Sequence, residues 1–405
     1  MPKRFLSDLF GLGMKKNLVS IILICNAFVW YFSVLSSLES TGPSTLALSV
    51  HFSALILSAL AGVYLARQME RSRFLILWMT LGIMTSLMLS ALRSPSEMIS
   101  CLVSLCLGLS FGFGMPACMS YFTDTVPIES RGRVSGLALF ASGIGIVAFG
   151  FAVGSDMFLT GMILGVWRLL SLLVFLWARD YRRVERKESV QSYKQVLSGH
   201  SFLLYFVPWV MFSLVNYLLP ITPILGGGTP DFEMVQMVQT VQAVFMGGAA
   251  VFGGVFVDSI GRKPIAIAGF SMLGMGAAVL GFLDNTPLVL YFNAMVDGVA
   301  FGFLLLLFVL TLWGDLSHSF SSDKYYAVGV MPFFASKLLQ LTVGPIFMDI
   351  ASEGAAALFS FTAFFLFLAV LPLFFAPETL PEKVKKEREL KFYIEKAQKV
   401  AQKHY

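Results

Sequence analysis

The sequence predicts an all-α membrane protein, an interpretation that rests on its composition, on the length of its apolar runs and on an internal repeat. Of the 405 residues, 57% are hydrophobic and only 13% are charged. A soluble globular chain has about 25% charged residues. Many apolar runs reach the roughly 20 residues that a helix needs to cross about 30 Å of hydrocarbon. The strands of a membrane barrel alternate in short segments, which is not the pattern of this sequence.

The apolar runs predict twelve transmembrane helices. In chain order they cover 17–36, 45–66, 74–92, 98–122, 134–155, 157–178, 201–221, 234–257, 264–283, 288–314, 327–348 and 354–375. The narrowest separations between spans are at Asp156 and at Ser352–Gly354. The first span follows two lysines in the manner of a signal peptide, but eleven spans follow it, so we expect it to be retained.

The basic residues predict that both termini are cytoplasmic. With that orientation, the outer loops carry a single basic residue, Arg93. The inner segments carry many, which include Arg67, Arg71, Arg73, Arg131, Arg133, Arg179, Arg182, Arg183, Arg262, Lys263 and Lys324. Such an asymmetry is the usual topology signal of a multi-pass protein of the cell membrane. The net charge of +5 is therefore explained by the lipid surface, and we expect no nucleic-acid partner.

An internal repeat predicts two halves, at 1–178 and 201–375, with a basic linker at 179–200 and a cytoplasmic tail at 376–405. The fourth spans share GLSFGF at Gly108–Phe113 and GVAFGF at Gly298–Phe303. The second spans share GVYL at Gly62–Leu65 and GVFV at Gly254–Val257, and the fifth spans share Phe-Ala-Ser. Two parallel six-helix halves are a plan of transporters. Apolar residues at helical spacing between lysines predict that the tail forms a basic amphipathic helix on the inner surface.

Two loop segments carry a resemblance to a known family. The segment GGVFVDSIGRKP, at Gly253–Pro264, is similar to the loop signature between the second and third helices of the major facilitator superfamily. Its positions are filled by Gly254, Asp258, Gly261, Arg262 and Lys263. The segment DTVPIESRG resembles a second element of the superfamily, filled by Asp124, Pro127, Arg131 and Gly132. After the last span, Pro377-Glu378-Thr379 resembles the end of the sugar porters.

This resemblance implies the superfamily's fold, with twelve transmembrane helices in two pseudo-symmetric six-helix bundles. It also implies a monomeric, non-enzymatic transporter that needs no cofactor. The match departs from the family in the first half, where Ala66 takes the position of the loop acid. The fourth span lacks the Arg of many proton-coupled relatives, and the fifth lacks the proline of drug–proton antiporters. The subfamily is therefore not assigned.

The loop residues are candidates for a gate. The resemblance implies that Asp258 contacts the start of the fifth helix, around Arg131–Val134, when the cytoplasmic side is closed. A carboxylate at that place would interact with the dipole of the helix N-terminus. The alternative is that these residues only set the topology.

Three charged residues lie inside predicted spans. At 1.5 Å per residue, Asp297, Lys337 and Arg168 are each about 14–16 Å deep, near the midplane where such transporters bind their solutes. Each costs about 2.5–3.5 kcal/mol on insertion scales, so each needs a partner or water. We predict that Asp297 reaches Lys337 directly or through Gln340. The pair is either a coupling or substrate site, with H⁺ as coupling ion, or a structural ion pair, and Arg168 either takes part or only bridges helices or binds headgroups.

Other polar side chains are candidates for the substrate cavity, with helix packing as the alternative for each. They are Asn26, Trp30, Tyr31, Asn216, Tyr217, Gln239, Asn293 and Gln340. The four cysteines are all in spans without a CxxC motif, which indicates small apolar residues and not metal ligands or disulfides. We find no phosphate-binding loop, no nucleophile–base pair and no metal cluster in the sequence.

The sequence therefore predicts a secondary active transporter that moves a small polar solute by alternating access, coupled to protons. Two alternatives within the class are an uncoupled facilitator and a drug-efflux transporter. An alternative from another class is a membrane sensor or scaffold that has lost transport. The second-half loop signature disfavours the sensor, since a sensor has less need of a gate.

Overall fold

The computed structural model describes residues 14–42, 44–93, 96–152, 156–178, 191–218, 232–283, 286–317, 320–381, 386 and 390. Within these ranges the chain is helical and forms no strand. Ten of the described helices are long and apolar enough to cross a membrane. The tail at 382–405 lies outside the described residues, apart from two of its positions.

The first bundle contains six helices. They are α1 (Met14–Ser40), α2 (Thr45–Ala66), α3 (Arg71–Leu87, extended by a 3₁₀ turn over Met88–Arg93), α4 (Glu97–Thr125), α5 (Arg131–Ala152) and α6 (Met157–Trp177). The close succession of α5 and α6 depends on Asp156, whose carboxylate accepts the N–H of Phe158 at 2.9 Å. That bond satisfies one of the backbone donors that a helix start leaves open.

The second bundle follows a short linker helix, Tyr193–Leu197. Its helices are α7 (His200–Leu218), α8 (Phe232–Ser259), α9 (Arg262–Phe282), α10 (Pro287–Leu305, a π-helical turn Leu306–Thr311, then Leu312–Leu316), α11 (Asp323–Gly329 and Met331–Thr342) and α12 (Gly344–Leu368 and Val370–Phe375). A π-helical turn inside an α-helix holds one extra residue and is frequent at functional sites.

The boundary between the last two helices differs from the sequence prediction. We expect a break at Ser352–Gly354, whereas the structure ends α11 at Thr342 and begins α12 at Gly344. Proline occupies the first turn of α12, a position where its fixed φ and missing N–H favour a helix start. Positions 349 and 353, which we expect in an outer loop, are therefore inside α12.

Glycines determine how closely the helices pack. The repeated glycine of the fourth spans has the same role in both bundles, since Gly108 of α4 lies on the carbonyl of His51 and Gly298 of α10 lies on the carbonyl of Gln242. Between the bundles, a Cβ on Gly254 of α8 would lie 3.0 Å from the Cα of Arg133 in α5. The bundles meet along two seams, α5 with α8 and α2 with α11.

Candidate functional site

The two seams are tied at one end of the molecule, which we call the inner end because the basic residues predict that it faces the cytoplasm. Here the carboxylate of Asp258, from α8, accepts the backbone N–H groups of Gly132 and Arg133, each at 2.9 Å. The Nε of Arg133 donates to it as well, at 3.2 Å. Gly132 and Arg133 form the first turn of α5, whose N–H groups have no acceptor within the helix. An acid of the second bundle therefore caps a helix of the first, which is the contact that the family resemblance implies.

Asp315, near the end of α10, joins the bundles a second time. Its Oδ2 accepts the Nε of Arg262 at 2.9 Å, and its Oδ1 forms a close ion pair with Arg131 of the first bundle. Asp315 and Arg262 are buried. Arg262 also donates to the carbonyl of Ile128 across the seam, at 2.7 Å. One buried carboxylate thus neutralises two guanidinium groups, one from each bundle.

The second seam uses an acid from α11. Arg71 at the start of α3 pairs with Asp124 of its own bundle at 2.7 Å and with Asp323 of the second bundle at 3.7 Å. Arg67 lies 4.0 Å from the same Asp323, which is fully buried. Ser322 donates to Ser120 across this seam at 2.8 Å. The loop between α2 and α3, which has Ala66 at the position of the family's acid, is therefore still joined to the second bundle through its arginines.

The segment Pro377-Glu378-Thr379, which resembles the end of the sugar porters, covers the loop between α8 and α9. The carboxylate of Glu378 accepts the backbone N–H of Arg262 at 2.9 Å and that of Lys263 at 3.3 Å. Gly261 has φ +127°, a backbone conformation that residues other than glycine rarely adopt. The Nζ of Lys263 donates to the carbonyl of Phe374 at 2.7 Å. Glu378 thus caps α9 within the second bundle.

The linker helix lies against the second seam. The hydroxyl of Tyr193 donates to the carbonyl of Leu60 in α2 at 2.8 Å, and the Nζ of Lys324 lies 4.9 Å from the centre of the Tyr193 ring. Gln191 accepts the hydroxyl of Tyr325 at 2.7 Å. Burial, and then the charge of Asp323, raises the pKa of Tyr193 to about 12. Tyr193 therefore touches both bundles as a neutral phenol.

Arg168 is buried inside the first bundle, so the reading that it binds headgroups is wrong. Its guanidinium lies between two indole rings, 4.6 Å from the centre of Trp30 and 4.5 Å from that of Trp78. One nitrogen donates to Asn26 at 3.2 Å, and Gly82 of α3 leaves the space for its Nε. Within the described residues it forms no ion pair, so cation–π contacts take the place of a carboxylate.

Two of the cavity candidates serve helix packing in this structure. The amide of Asn26 donates to the carbonyl of Trp167 at 2.6 Å, and the indole of Trp167 returns a bond to the carbonyl of Asn26 at 3.1 Å. Trp30 donates to Ser86 at 2.7 Å. These bonds tie α1 to α6 and α3.

Tyr31 instead contacts both bundles. Its ring stacks on Phe111 of α4 at 4.2 Å and meets the edge of Phe334 of α11 at 5.6 Å. Of the remaining candidates, Gln340 is partly buried on α11 and Gln239 is exposed on α8. Asn216 and Tyr217 belong to α7, but their side chains lie outside the described ones.

Asp297 is not paired with Lys337 within the described part of the chain. Its Oδ2 accepts the amide Nδ2 of Asn293 at 2.9 Å, one turn earlier on α10. Its Oδ1 faces α9, where a Cβ on Gly276 would lie 2.8 Å away. The space left by Gly276 explains why the side chain points towards α9 and not towards α11. Lys337 is partly buried on α11.

Asp315 and Asp323 are functional residues that are not among the candidates predicted from the sequence. A signal for Asp315 exists, since Asp124 follows Gly108 by sixteen positions and Asp315 follows Gly298 by seventeen. The π-helical turn of α10 accommodates the extra residue, so Asp124 and Asp315 reach equivalent places. Among the described residues, no group of three His, Cys, Asp or Glu side chains is placed to hold a metal ion.

Comparison with known proteins identifies the fold. The chain is similar to a solved structure of a major facilitator superfamily protein, the proton:xylose symporter XylE bound to 6-bromo-6-deoxy-D-glucose. The match has a TM-score of 0.65 and 15% sequence identity, and it covers 90% of this chain and 96% of that one. No family model matches the chain, and no curated protein matches it significantly. The chain therefore has the major facilitator fold, an all-α membrane protein with two pseudo-symmetric six-helix bundles.

Proposed function

We propose that the chain is a secondary active transporter that moves a small polar solute by alternating access. The observation that carries the proposal is the pair of inter-bundle networks at the inner end. Asp258, Asp315 and Asp323 each bind groups of the opposite bundle through hydrogen bonds or ion pairs. Polar contacts of this kind exchange for water when the bundles separate, and rocking of one bundle against the other is how such transporters expose a central site to each side in turn.

The conformation fits the outward-facing half of that cycle, because the inner end is closed. The similar structure is that of a proton:xylose symporter bound to a glucose derivative, and this supports a first panel of pentoses and hexoses as solutes. Uptake of labelled solutes into proteoliposomes is the direct test. A sensor or scaffold predicts no uptake of any solute, and a drug-efflux transporter predicts transport of lipophilic cations instead of sugars.

We further propose that transport is coupled to protons through Asp297. A bare carboxylate at this depth is costly, and a bound proton removes the charge. Within the described residues Asp297 is hydrogen-bonded to an amide and not to a cation, so no guanidinium or ammonium group stabilises its ionised form. Intramembrane acids of this kind are typical of proton relays.

The coupling test compares two assays of one variant. Asp297→Asn should abolish accumulation driven by an imposed pH gradient while solute exchange across the membrane continues, since Asn cannot carry a proton. Glu70→Gln is the matched control, because Glu70 pairs with Arg73 on the exposed surface of the inner end. An uncoupled facilitator would show no response to the gradient in wild type, and that result would refute the coupling.

A further inference from the structure

We infer that Asp297 and Asn293 form a proton-binding site. The proton is bonded to Asp297 Oδ1, and this O–H group donates a hydrogen bond to Asn293 Oδ1. The inference names the atoms that hold the proton and the conformation that holds it, which is the one with the inner end closed. Its role in transport rests on the proposed function, but the site itself does not depend on it.

The first step is the position of the two side chains. Asn293 and Asp297 are four residues apart on α10, so they lie on the same face one turn apart. The bond from Asn293 Nδ2 to Asp297 Oδ2 measures 2.9 Å. This bond fixes the amide and the carboxyl group side by side, with Oδ1 of each as the remaining oxygen.

The second step is the environment of those two remaining oxygens. Asn293 Oδ1 is buried and accepts no hydrogen bond from the described residues. The hydrogen bond that the described residues give Asp297 is at its other oxygen, Oδ2. Both oxygens converge on Gly276 of α9, where a Cβ would lie 2.7 Å from Asn293 Oδ1 and 2.8 Å from Asp297 Oδ1. A buried acceptor without a donor costs about 1–3 kcal/mol, so this arrangement lacks one hydrogen.

One proton completes the arrangement. An O–H bond forms at Asp297 Oδ1 as one O–H bond of a solvent hydronium ion breaks and leaves water, and the new hydroxyl donates to Asn293 Oδ1. The acid and the amide are then joined by two hydrogen bonds in a ring, N–H to Oδ2 and O–H to Oδ1. When the proton leaves, the same O–H bond breaks, the proton returns to water and no electrons are transferred. The opposite orientation of the amide would place two oxygens 2.9 Å apart and needs the same proton.

Gly276 is a positioning residue for this site. A methyl group at position 276 would lie closer than van der Waals contact to both oxygens and would push the two side chains apart. Gly248 of α8 is a matched control, because a Cβ there would have no atom within 4 Å. In the first bundle the position that matches Asp297 is Leu107, so the acid is not required by the fold.

Infrared difference spectroscopy of the full-length protein in lipid tests the inference. Subtracting the Asp297→Asn spectrum at neutral pH should leave the C=O stretching band of a protonated carboxyl group. In Asn293→Leu and Gly276→Ala that band should move to higher frequency, because the carboxyl group loses the hydrogen bonds of the ring. Gly248→Ala should leave the band unchanged.

Three results would overturn the inference. The first is the absence of a protonated carboxyl band from wild type at neutral pH, which would mean an ionised Asp297. The second is a band that does not move in both Asn293→Leu and Gly276→Ala. The third is loss of the band when sodium replaces potassium, which would make this a metal-cation site. The outcomes remain separable from transport: a missing band with intact pH-driven uptake refutes this site alone, and an intact band without any uptake refutes the proposed function alone.

Discussion

The two seams at the inner end join equivalent helices, but the loop contributes an acid at the first seam and arginines at the second. At the first seam an acid in the loop after α8, Asp258, caps the start of α5. At the second seam the matching loop position is Ala66, and the acid lies on the other side, at Asp323 in the first turn of α11. A loop signature that has lost its acid has therefore kept its contact. The comparison teaches that charge complementarity across a seam is retained even when one loop no longer matches the family pattern.

The acids inside each bundle also differ. Asp124 and Asp315 occupy equivalent places and pair with the equivalent arginines Arg71 and Arg262. Asp315 binds Arg131 of the other bundle as well, whereas Arg71 crosses the second seam itself to reach Asp323. The first seam thus depends on a shared carboxylate and the second on a shared guanidinium.

The largest expected effect is that of Asp315→Asn. The substitution leaves the buried Arg131 without its carboxylate and leaves Arg262 with Asp258 alone, at 3.5 Å, and breaking a buried pair costs about 3–5 kcal/mol. Asp124→Asn should cost less, because it affects one guanidinium group, Arg71, which retains Asp323 at 3.7 Å. The midpoint of thermal unfolding of the purified protein measures both. Equal losses in the two variants would contradict the assignment of Asp315 as the shared acid.

Asp258→Asn should open the first seam without unfolding the protein. Loss of hydrogen bonds to a charged acceptor costs about 1.5–3 kcal/mol. A reporter is available at Ser135 of α5, which is buried and accepts a bond from Thr311 of α10 at 3.3 Å. In a variant with Ser135→Cys and the four native cysteines removed, alkylation should become roughly 10–100 times faster, because 1.4 kcal/mol is a factor of ten. Glu70→Gln should leave the rate unchanged, and a rate that is equally unchanged in Asp258→Asn would show that the cap does not hold the seam.

The cores of the two bundles provide the next comparison. The aromatic rings of the first bundle enclose a buried arginine, whereas those of the second stack on one another. Arg168 lies between two indoles, while Trp209 in the second bundle stacks on Phe308 at 4.8 Å. Arg168→Lys should lower the unfolding midpoint more than Arg168→Met does. Lysine keeps the buried charge but loses the planar stacking of a guanidinium, whereas methionine removes the desolvation cost. The opposite order would mean that the charge itself stabilises the first bundle.

The smallest effect is expected at the linker helix. Tyr193→Phe removes one hydrogen bond, to Leu60, and should cost about 1 kcal/mol. The pKa of Tyr193 is raised from 10.0 to about 12, so its contribution is complete below pH 10 and is lost as the pH rises through 12. Wild type and Tyr193→Phe should therefore differ in unfolding midpoint at neutral pH and converge in strong alkali. A constant difference up to that pH would exclude the phenol as the cause.

The sequence predicts the helices and the loop contacts better than it predicts which way a side chain faces. Helix number and the repeat depend on local patterns that one chain displays, and the contact of Asp258 with α5 is implied by the resemblance of its loop to the superfamily signature. Depth follows from counting residues, but facing depends on rotation, which changes by about 100° per residue and is set by packing. The expected contact between Asp297 and Lys337 is absent from the described residues because Gly276 gives the carboxylate room on α9. The repeat does not align Asp315 with Asp124, because the π-helical turn shifts the spacing of Asp315 by one residue.

The ion pair between Arg131 and Asp315 has a consequence for biosynthesis. The two residues are 184 positions apart, and chains grow at about 5–20 residues per second, so Arg131 is made on the order of ten to forty seconds before its acid. Arg71 meets Asp124 sooner, within its own bundle. The topology that the basic residues predict assigns Arg131 to the inner surface, so during the wait we expect its charge to help orient the nascent helices. The same side chain would then serve first as a topology signal during insertion and later as a link between the finished bundles.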